Sequence, residues 1–319
     1  MRNFLIRRAL YAIPTLIGIS IITFAIARLS PGDPIRLFTF GIKDFTQEDY
    51  LRLVHVYGLD KPIPLQYVDW ISNAVRLNFG ESLIYHREAG AIILERLPNT
   101  LQLALTALLL QLVIGVPLGV IAALKRGTWR DGVIRVFGVA GHAVPAFWLG
   151  QVLIILFAIS LHWLPTQGML TVGKDQMDIP DRLKHIALPA FVLALAGIAN
   201  YSRILRTETL DVLGQDFIRT AHAKGLHERV VVYVHALRNA LIPVVTALGG
   251  ILATLVGGAL VIEQVFSWPG IGQFTFQAAL AKDYPIVQAG VMIASTLLVV
   301  SYLLRDITYA IVDPRIKVS

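Results

Sequence analysis

The sequence has 319 residues, of which 55% are hydrophobic and 15% are charged, and its net charge is +7. Average soluble domains carry about a quarter of charged residues, so the composition argues against an ordinary soluble domain and favours a membrane protein. The chain contains no cysteine, which excludes disulfides, thiolate nucleophiles and zinc–cysteine sites.

Six stretches free of Asp, Glu, Lys and Arg are long enough, or nearly so, to cross a hydrocarbon core of ~30 Å. Because lipid offers no water to the backbone, each is expected to be an α-helix, which predicts an all-α integral membrane protein. Pro117, Pro145 and Pro189 predict kinks, and Gly115 with Gly119 predicts close helix contact. The predicted spans are 9–27, 97–124, 136–161, 185–202, 239–262 and 284–304.

Lys and Arg concentrate at the amino terminus, after the second and fourth spans and in the tail. By the positive-inside rule both termini are cytoplasmic, and the net charge reflects topology instead of nucleic-acid binding. One alternative is a cleaved signal peptide, because the chain starts with basic residues, continues with an apolar run and then reads Ala25-Ile26-Ala27. That apolar run is longer than the usual ~7–15 residues, so we expect it to be retained as the first span.

The order of these segments divides the chain into a first helix, an external region, a five-helix block and a tail. In the external region Thr46 is a plausible N-cap for a short helix that ends at Gly58. A second helix follows, with Tyr67 and Trp70 near the lipid headgroups; the region may equally be a cap without a ligand role. The predicted bounds are 1–28, 29–96, 97–310, with a polar cytoplasmic segment at about 203–238, and 311–319.

Catalytic motifs find little support. The segment 168–175, "GMLTVGKD", nearly matches a phosphate-binding loop, but Asp175 replaces the required hydroxyl and would repel phosphate. His222, His227 and His235 do not share one helical face, and a solvated face explains them better than a metal site. We therefore expect no enzyme activity, no cofactor and no metal in this chain, and any energy must come from a partner.

Polar residues within the spans are few and therefore informative. They are candidates for lining a substrate path; the alternatives are hydrogen bonds between helices and, for Glu263, a position in an interface. The candidates are His142, Asn200, Thr246, Thr254 and Glu263.

The polar segment between the fourth and fifth spans is longer than a connector requires. A single helix over 208–224 would place Leu213, Phe217 and Ala221 in one apolar row. Gly225 follows, where it can end the helix or let another backbone approach. This pattern favours a helix presented to a cytosolic partner; the alternative is an amphipathic helix resting on anionic lipid.

The same segment carries a family resemblance. "RTAHAKGL" and "HALRNALIPVVT" resemble the cytoplasmic signature of permease subunits of bacterial ATP-binding-cassette (ABC) importers. The general signature begins Glu-Ala-Ala, with Gly six residues after the Glu, whereas this chain has Arg219 in place of the Glu. The Arg-Thr-Ala form and the long interval from Gly225 to Pro243 resemble the dipeptide/oligopeptide/nickel branch. Other segments similar to that branch are "LSPGDP", "YGLDKPIPLQY", "NFGESL", "RLPNTLQLAL", "VFSWPGIGQ", "DYPIVQAG" and "DPRIK".

The resemblance covers nearly the whole chain and implies a type I ABC importer permease fold with six spans in the bacterial cytoplasmic (inner) membrane. It implies three kinds of partner: a second, homologous permease subunit, two cytosolic ABC ATPase subunits that bind ATP and Mg, and an extracytoplasmic substrate-binding protein. A coupling helix would transmit ATPase motion to the spans. The residues expected at that contact are Phe217, Arg219, Ala221, Gly225 and Leu226.

The cargo implied by the resemblance is a di- or oligopeptide. The same machinery could carry a nickel chelate, glutathione or a short oligosaccharide, because selectivity in the family lies largely in the binding protein. A stand-alone channel or an intramembrane enzyme would need a self-sufficient pore or a catalytic pair, and the sequence offers neither.

Overall fold

A computed structural model describes residues 2–29, 35, 39, 45–56, 58–175, 178–245 and 259–312. Throughout these residues the secondary structure is helical, and the only extended pairing among them is a single bridge between Glu81 and Glu88. The all-α prediction is confirmed.

The helices follow one another with short connections. They are α1 (Arg2–Leu29), α2 (Gln47–Val56), α3 (Ile63–Ala74), α4 (Ala89–Leu124), α5 (Trp129–Ala143), α6 (Ala146–Leu153), α7 (Ile179–Leu213), α8 (Asp216–Ala223), α9 (Glu228–Val230), α10 (Leu237–Ala240), α11 (Ile271–Leu280) and α12 (Tyr284–Val312). A π-helical segment, Ile154–Ser160, extends α6, and another, Val231–Ala236, joins α9 to α10.

Four of these helices are long and apolar enough to cross a membrane: α1, α4, α7 and α12. They match the first, second, fourth and sixth predicted spans. In the predicted fifth span, 239–262, residues 246–258 lie outside the described part of the chain. The described residues thus contain four spans, or five if α5 and α6 form one, and a total of six stays a prediction.

The third predicted span, 136–161, is wrong as a single helix. Helix α5 ends at Ala143, α6 begins at Ala146, and their axes meet at 105°. Pro145 has no backbone N–H to donate, and its ring pushes the preceding residue out of helical geometry. Val144 is accordingly extended, with φ −85° and ψ 124°. A kink was predicted here, and the structure has a break; the other two proline-containing spans, α4 and α7, continue through their prolines.

Helices α4 and α7 form the centre of the fold, and two glycines set how closely they approach. A Cβ on Gly115 would lie 3.1 Å from the Ile198 carbonyl oxygen, and one on Gly119 would lie 2.7 Å from the Ser202 carbonyl oxygen. Real side chains almost never make such contacts, so only glycine permits this spacing. The small-residue prediction is confirmed.

The external region packs on the first and last helices. Thr46 caps α2, because its Oγ1 accepts from the Asp49 amide at 3.2 Å, as predicted. The hydroxyls of Tyr67 on α3 and Ser20 on α1 form a hydrogen bond of 2.8 Å. Farther along, buried Asp283, just before α12, accepts from Ser82 Oγ at 2.5 Å. The external loop around Ser82 is thereby fixed to the entry of the last helix.

Candidate coupling site and translocation groove

The predicted continuous helix over 208–224 is wrong. Helix α7 ends at Leu213, and Gln215 takes an extended conformation, with φ −81° and ψ 154°, before α8 begins. The turn reorients α8 so that Ile218 and Ala221, 2% and 6% exposed, pack into the core formed mainly by α4 and α7. The buried row is therefore i, i+3 from Ile218, and Phe217 faces outward.

Gly225 ends α8 in a Schellman motif. The Leu226 amide donates to the Ala221 carbonyl at 3.4 Å, and the Gly225 amide donates to the His222 carbonyl at 2.9 Å. Gly225 has φ +73°, in the left-handed region that favours glycine. No atom lies within 4 Å of a Cβ built on it. Its surface is therefore open to an approaching molecule.

The five residues predicted at the coupling contact divide into two groups. Phe217 and Leu226 are 39% and 38% exposed, and the Arg219 side chain is 79% exposed, with Nη1 3.4 Å from Asp216 Oδ1. Together with open Gly225 they form the surface of α8 and its C-terminal turn. Ala221 is buried, so within this chain it anchors α8 instead of presenting a side chain.

A groove of about 530 Å³ runs between α5 and α7. Its walls combine basic and apolar side chains, and it contains one candidate path residue, His142 on α5. A second candidate, Asn200 on α7, is half-buried and accepts a hydrogen bond of 3.2 Å from Arg203 Nη2, which lines the groove. The structure thus brings two of the five candidates to one feature.

One end of the groove is held by an ion-pair network that the sequence did not reveal. The buried Asp131 carboxylate accepts from Arg206 Nε at 2.7 Å and from Arg206 Nη2 at 2.9 Å. Its Oδ2 also accepts from the Gly127 amide at 3.1 Å, and Arg135 Nε lies 3.5 Å from Oδ1. A bidentate pair of this kind adds geometric specificity as well as energy. The network fixes the start of α5 to α7.

Glu263 occupies a different place from the groove. Its fully buried carboxylate accepts from Thr100 Oγ1 at 2.6 Å and from the Gln273 amide at 3.0 Å, so it holds the first turn of α11 against α4. A Cβ on Gly270 or Gly272 would collide with this carboxylate. A path-lining role would require this anchor to open. Of the remaining candidates, Thr246 and Thr254 lie outside the described residues.

Among the described residues, no group of three or more His, Asp or Glu is placed to hold a metal. What remains is a polytopic α-helical membrane subunit with a short helix on a polar segment between spans. The sequence of the chain matches two family descriptions: "Binding-protein-dependent transport system inner membrane component" over residues 115–318, and the N-terminal part of such membrane components over residues 1–104. The chain belongs to this family of inner-membrane components of binding-protein-dependent transport systems.

Relatives match the chain from end to end. The oligopeptide transport system permease protein AppB of Bacillus subtilis (strain 168) is 42% identical and covers 99% of this chain and 100% of its own length. The di/tripeptide transport system permease protein DppB of Pseudomonas aeruginosa (strain UCBPP-PA14) is 40% identical, with 99% of both chains covered. The similarity therefore includes the external region as well as the spans.

A solved structure of the MetNI methionine ABC transporter in an inward-facing conformation is similar in fold. The TM-score is 0.50 at 19% identity, and the match covers 69% of this chain and 94% of that chain. The permease fold, the inner-membrane location and the family predicted from the sequence are confirmed. Membership of the family also makes this chain a membrane subunit of a transport system, in agreement with the prediction that it is not an enzyme.

Proposed function

We propose that this chain is the permease subunit of an ATP-driven importer that carries di- and oligopeptides across the inner membrane. The observation that supports it most directly is the similarity, over 99% of this chain, to two permeases whose names specify oligopeptides and di/tripeptides. A nickel chelate, glutathione or a short oligosaccharide remains the alternative cargo for the same machinery.

The family implies ATPase and substrate-binding partners. We propose the finer assembly: two ATPase subunits that bind ATP and Mg, a second homologous permease in a heterodimer, and an extracytoplasmic binding protein that delivers the peptide. In this arrangement the chain has six spans and both termini are cytoplasmic. The distribution of Lys and Arg supports that orientation.

Helix α8 and its C-terminal turn form the proposed ATPase contact. Phe217, Arg219 and Leu226 have the exposed side chains that a docking surface requires. Ile218 and Ala221 bind α8 to the helical core, so that a force on the exposed face reaches α4 and α7. Gly225 supplies the turn and a surface without a side chain. Coupling between two sites needs such a shared element, because ATP binds elsewhere.

The test is transport by the whole complex. The permease, its neighbouring permease, the ATPases and the binding protein are purified together and reconstituted in liposomes with ATP on the ATPase side. We expect ATP-dependent uptake of a labelled dipeptide, and weaker or no uptake of nickel chelate, glutathione and trisaccharide. Uptake of one of those solutes without peptide uptake would assign the alternative cargo. Transport by this chain alone without ATP would overturn the importer proposal.

A further inference from the structure

We propose that the groove between α5 and α7 binds the C-terminal carboxylate of the transported peptide through the guanidinium of Arg203. The inference rests on the proposed function and names the group that this chain would recognise in its cargo. It makes Arg203 a specificity-determining residue inside the membrane subunit.

The first observation concerns the charges in the groove. Three arginines line it, Arg135, Arg203 and Arg206. The carboxylate of Asp131 takes both hydrogen bonds from Arg206 and lies within ion-pair distance of Arg135. Arg203 donates only to the neutral Asn200 amide oxygen, at 3.2 Å, and has no carboxylate partner among the described residues. The groove therefore holds one guanidinium with its charge uncompensated.

The second observation concerns the place of this charge. Arg203 directly follows the predicted fourth span, 185–202, on a helix that continues to Leu213. Ionisable residues at membrane depth are costly and typically face the protein interior or a water-filled cavity, where they mark substrate pathways. Arg203 faces such a cavity, and Asn200 orients its side chain. The planar guanidinium then matches a carboxylate in a bidentate pair.

The third observation concerns size and the other wall. The α5 residues along the groove extend from Ile134 to Ala143, a length of about 14 Å at ~1.5 Å per helical residue. An extended di- or tripeptide spans about 7–11 Å at ~3.3–3.6 Å per residue. Ile134, Val139 and Ala143 provide an apolar wall for varied side chains. Recognition of the terminal carboxylate is independent of peptide sequence, which suits a permease that receives many peptides.

The experiment compares a free dipeptide with its C-terminal amide in the reconstituted complex. For each, the initial ATP-dependent uptake rate is measured at saturating binding protein, in wild type and in Arg203→Gln. Using the same binding protein in both complexes means that a change in the acid-to-amide ratio comes from the permease. We expect wild type to prefer the acid, and the ratio to fall about tenfold or more in Arg203→Gln, as for loss of a charged hydrogen bond.

Two controls separate this effect from damage to the complex. Arg126→Gln removes an exposed arginine outside the groove, and its ratio should equal that of wild type. Arg203→Lys keeps the charge without the planar fork and should give an intermediate ratio. ATPase activity in the absence of peptide should be the same in wild type and Arg203→Gln, because the residue lies outside the α8 surface.

The results distinguish the inference from the proposed function. If wild type carries no peptide, the proposed function fails and the inference fails with it. If wild type carries peptide and the acid-to-amide ratio is the same in Arg203→Gln, only the inference is overturned. It is also overturned if Arg203→Gln slows acid and amide equally and wild type shows the same slowing in liposomes of phosphatidylcholine alone. That pattern would assign the groove to an anionic lipid headgroup.

Discussion

Gly225 allows the coupling surface to be tested separately from the fold. Any other residue at this position must adopt φ +73°, which costs a non-glycine residue about 1–2 kcal/mol. Such a cost changes a local equilibrium by about 5- to 30-fold. Because nothing lies within 4 Å of the added Cβ, a large side chain adds no clash within the chain. Gly225→Ala and Gly225→Trp should therefore share one stability cost and differ only in bulk.

We expect Gly225→Ala to lower the thermal stability of the purified permease slightly and to retain most transport. Gly225→Asn should be milder still, since Asn tolerates the left-handed region. Gly225→Trp should be as stable as Gly225→Ala, yet it should lose peptide uptake and stimulation of the ATPase by loaded binding protein. The measurements are melting temperature, membrane insertion, uptake and ATPase rate. Equal uptake by the Trp and Ala variants would refute the assignment of this surface to ATPase docking.

Three further predictions concern α8, α11 and the α4–α7 contact. Phe217→Ala should leave the melting temperature unchanged and reduce uptake, whereas Ile218→Ala should cost about 2–5 kcal/mol of stability; equal melting temperatures would contradict the orientation of α8. Glu263→Gln keeps the shape but places an amide among backbone N–H donors, so we expect a loss of about 1–3 kcal/mol by denaturant titration, and an unchanged midpoint would contradict the anchor. Gly119→Val should lower the melting temperature by several degrees, because its side chain would meet the α7 backbone. Gly132→Ala, where the Cβ meets nothing, is its matched control and should be neutral or stabilising.

The sequence predicted features whose cause is local. Gly115 and Gly119 share one face of a long apolar helix, so their spacing alone predicted a close neighbour. Thr46 and Gly58 bound a short amphipathic helix, and the structure has that helix. Pro145 marked where the third span is interrupted, but a proline fixes the position of a break and not its angle. The angle of 105° depends on what α5 and α6 pack against.

Features that depend on distant residues were not readable from the sequence. Glu263 stood out as an ionisable residue at the end of a span, but its partner Thr100 is 163 positions away. Asp131 and Arg206 are 75 positions apart, and each stood among other charges. The residues of 208–224 fit one helix locally, and only the burial of Ile218 against the core shows why the chain turns at Gln215.

Helix α12 gives the fold a mechanical property that none of the shorter helices has. With 29 residues it is about 44 Å long at ~1.5 Å per residue, enough to pass through a bilayer and protrude. Near one end its Asp306 lies 3.3 Å from Arg8 of α1, and at the other Asp283 holds the external loop at Ser82. A tilt of only ~5° would displace one end relative to the other by about 4 Å over that length. The external cap is thus mounted on a strut whose opposite end lies at the other face of the membrane, so the cap moves whenever the strut does.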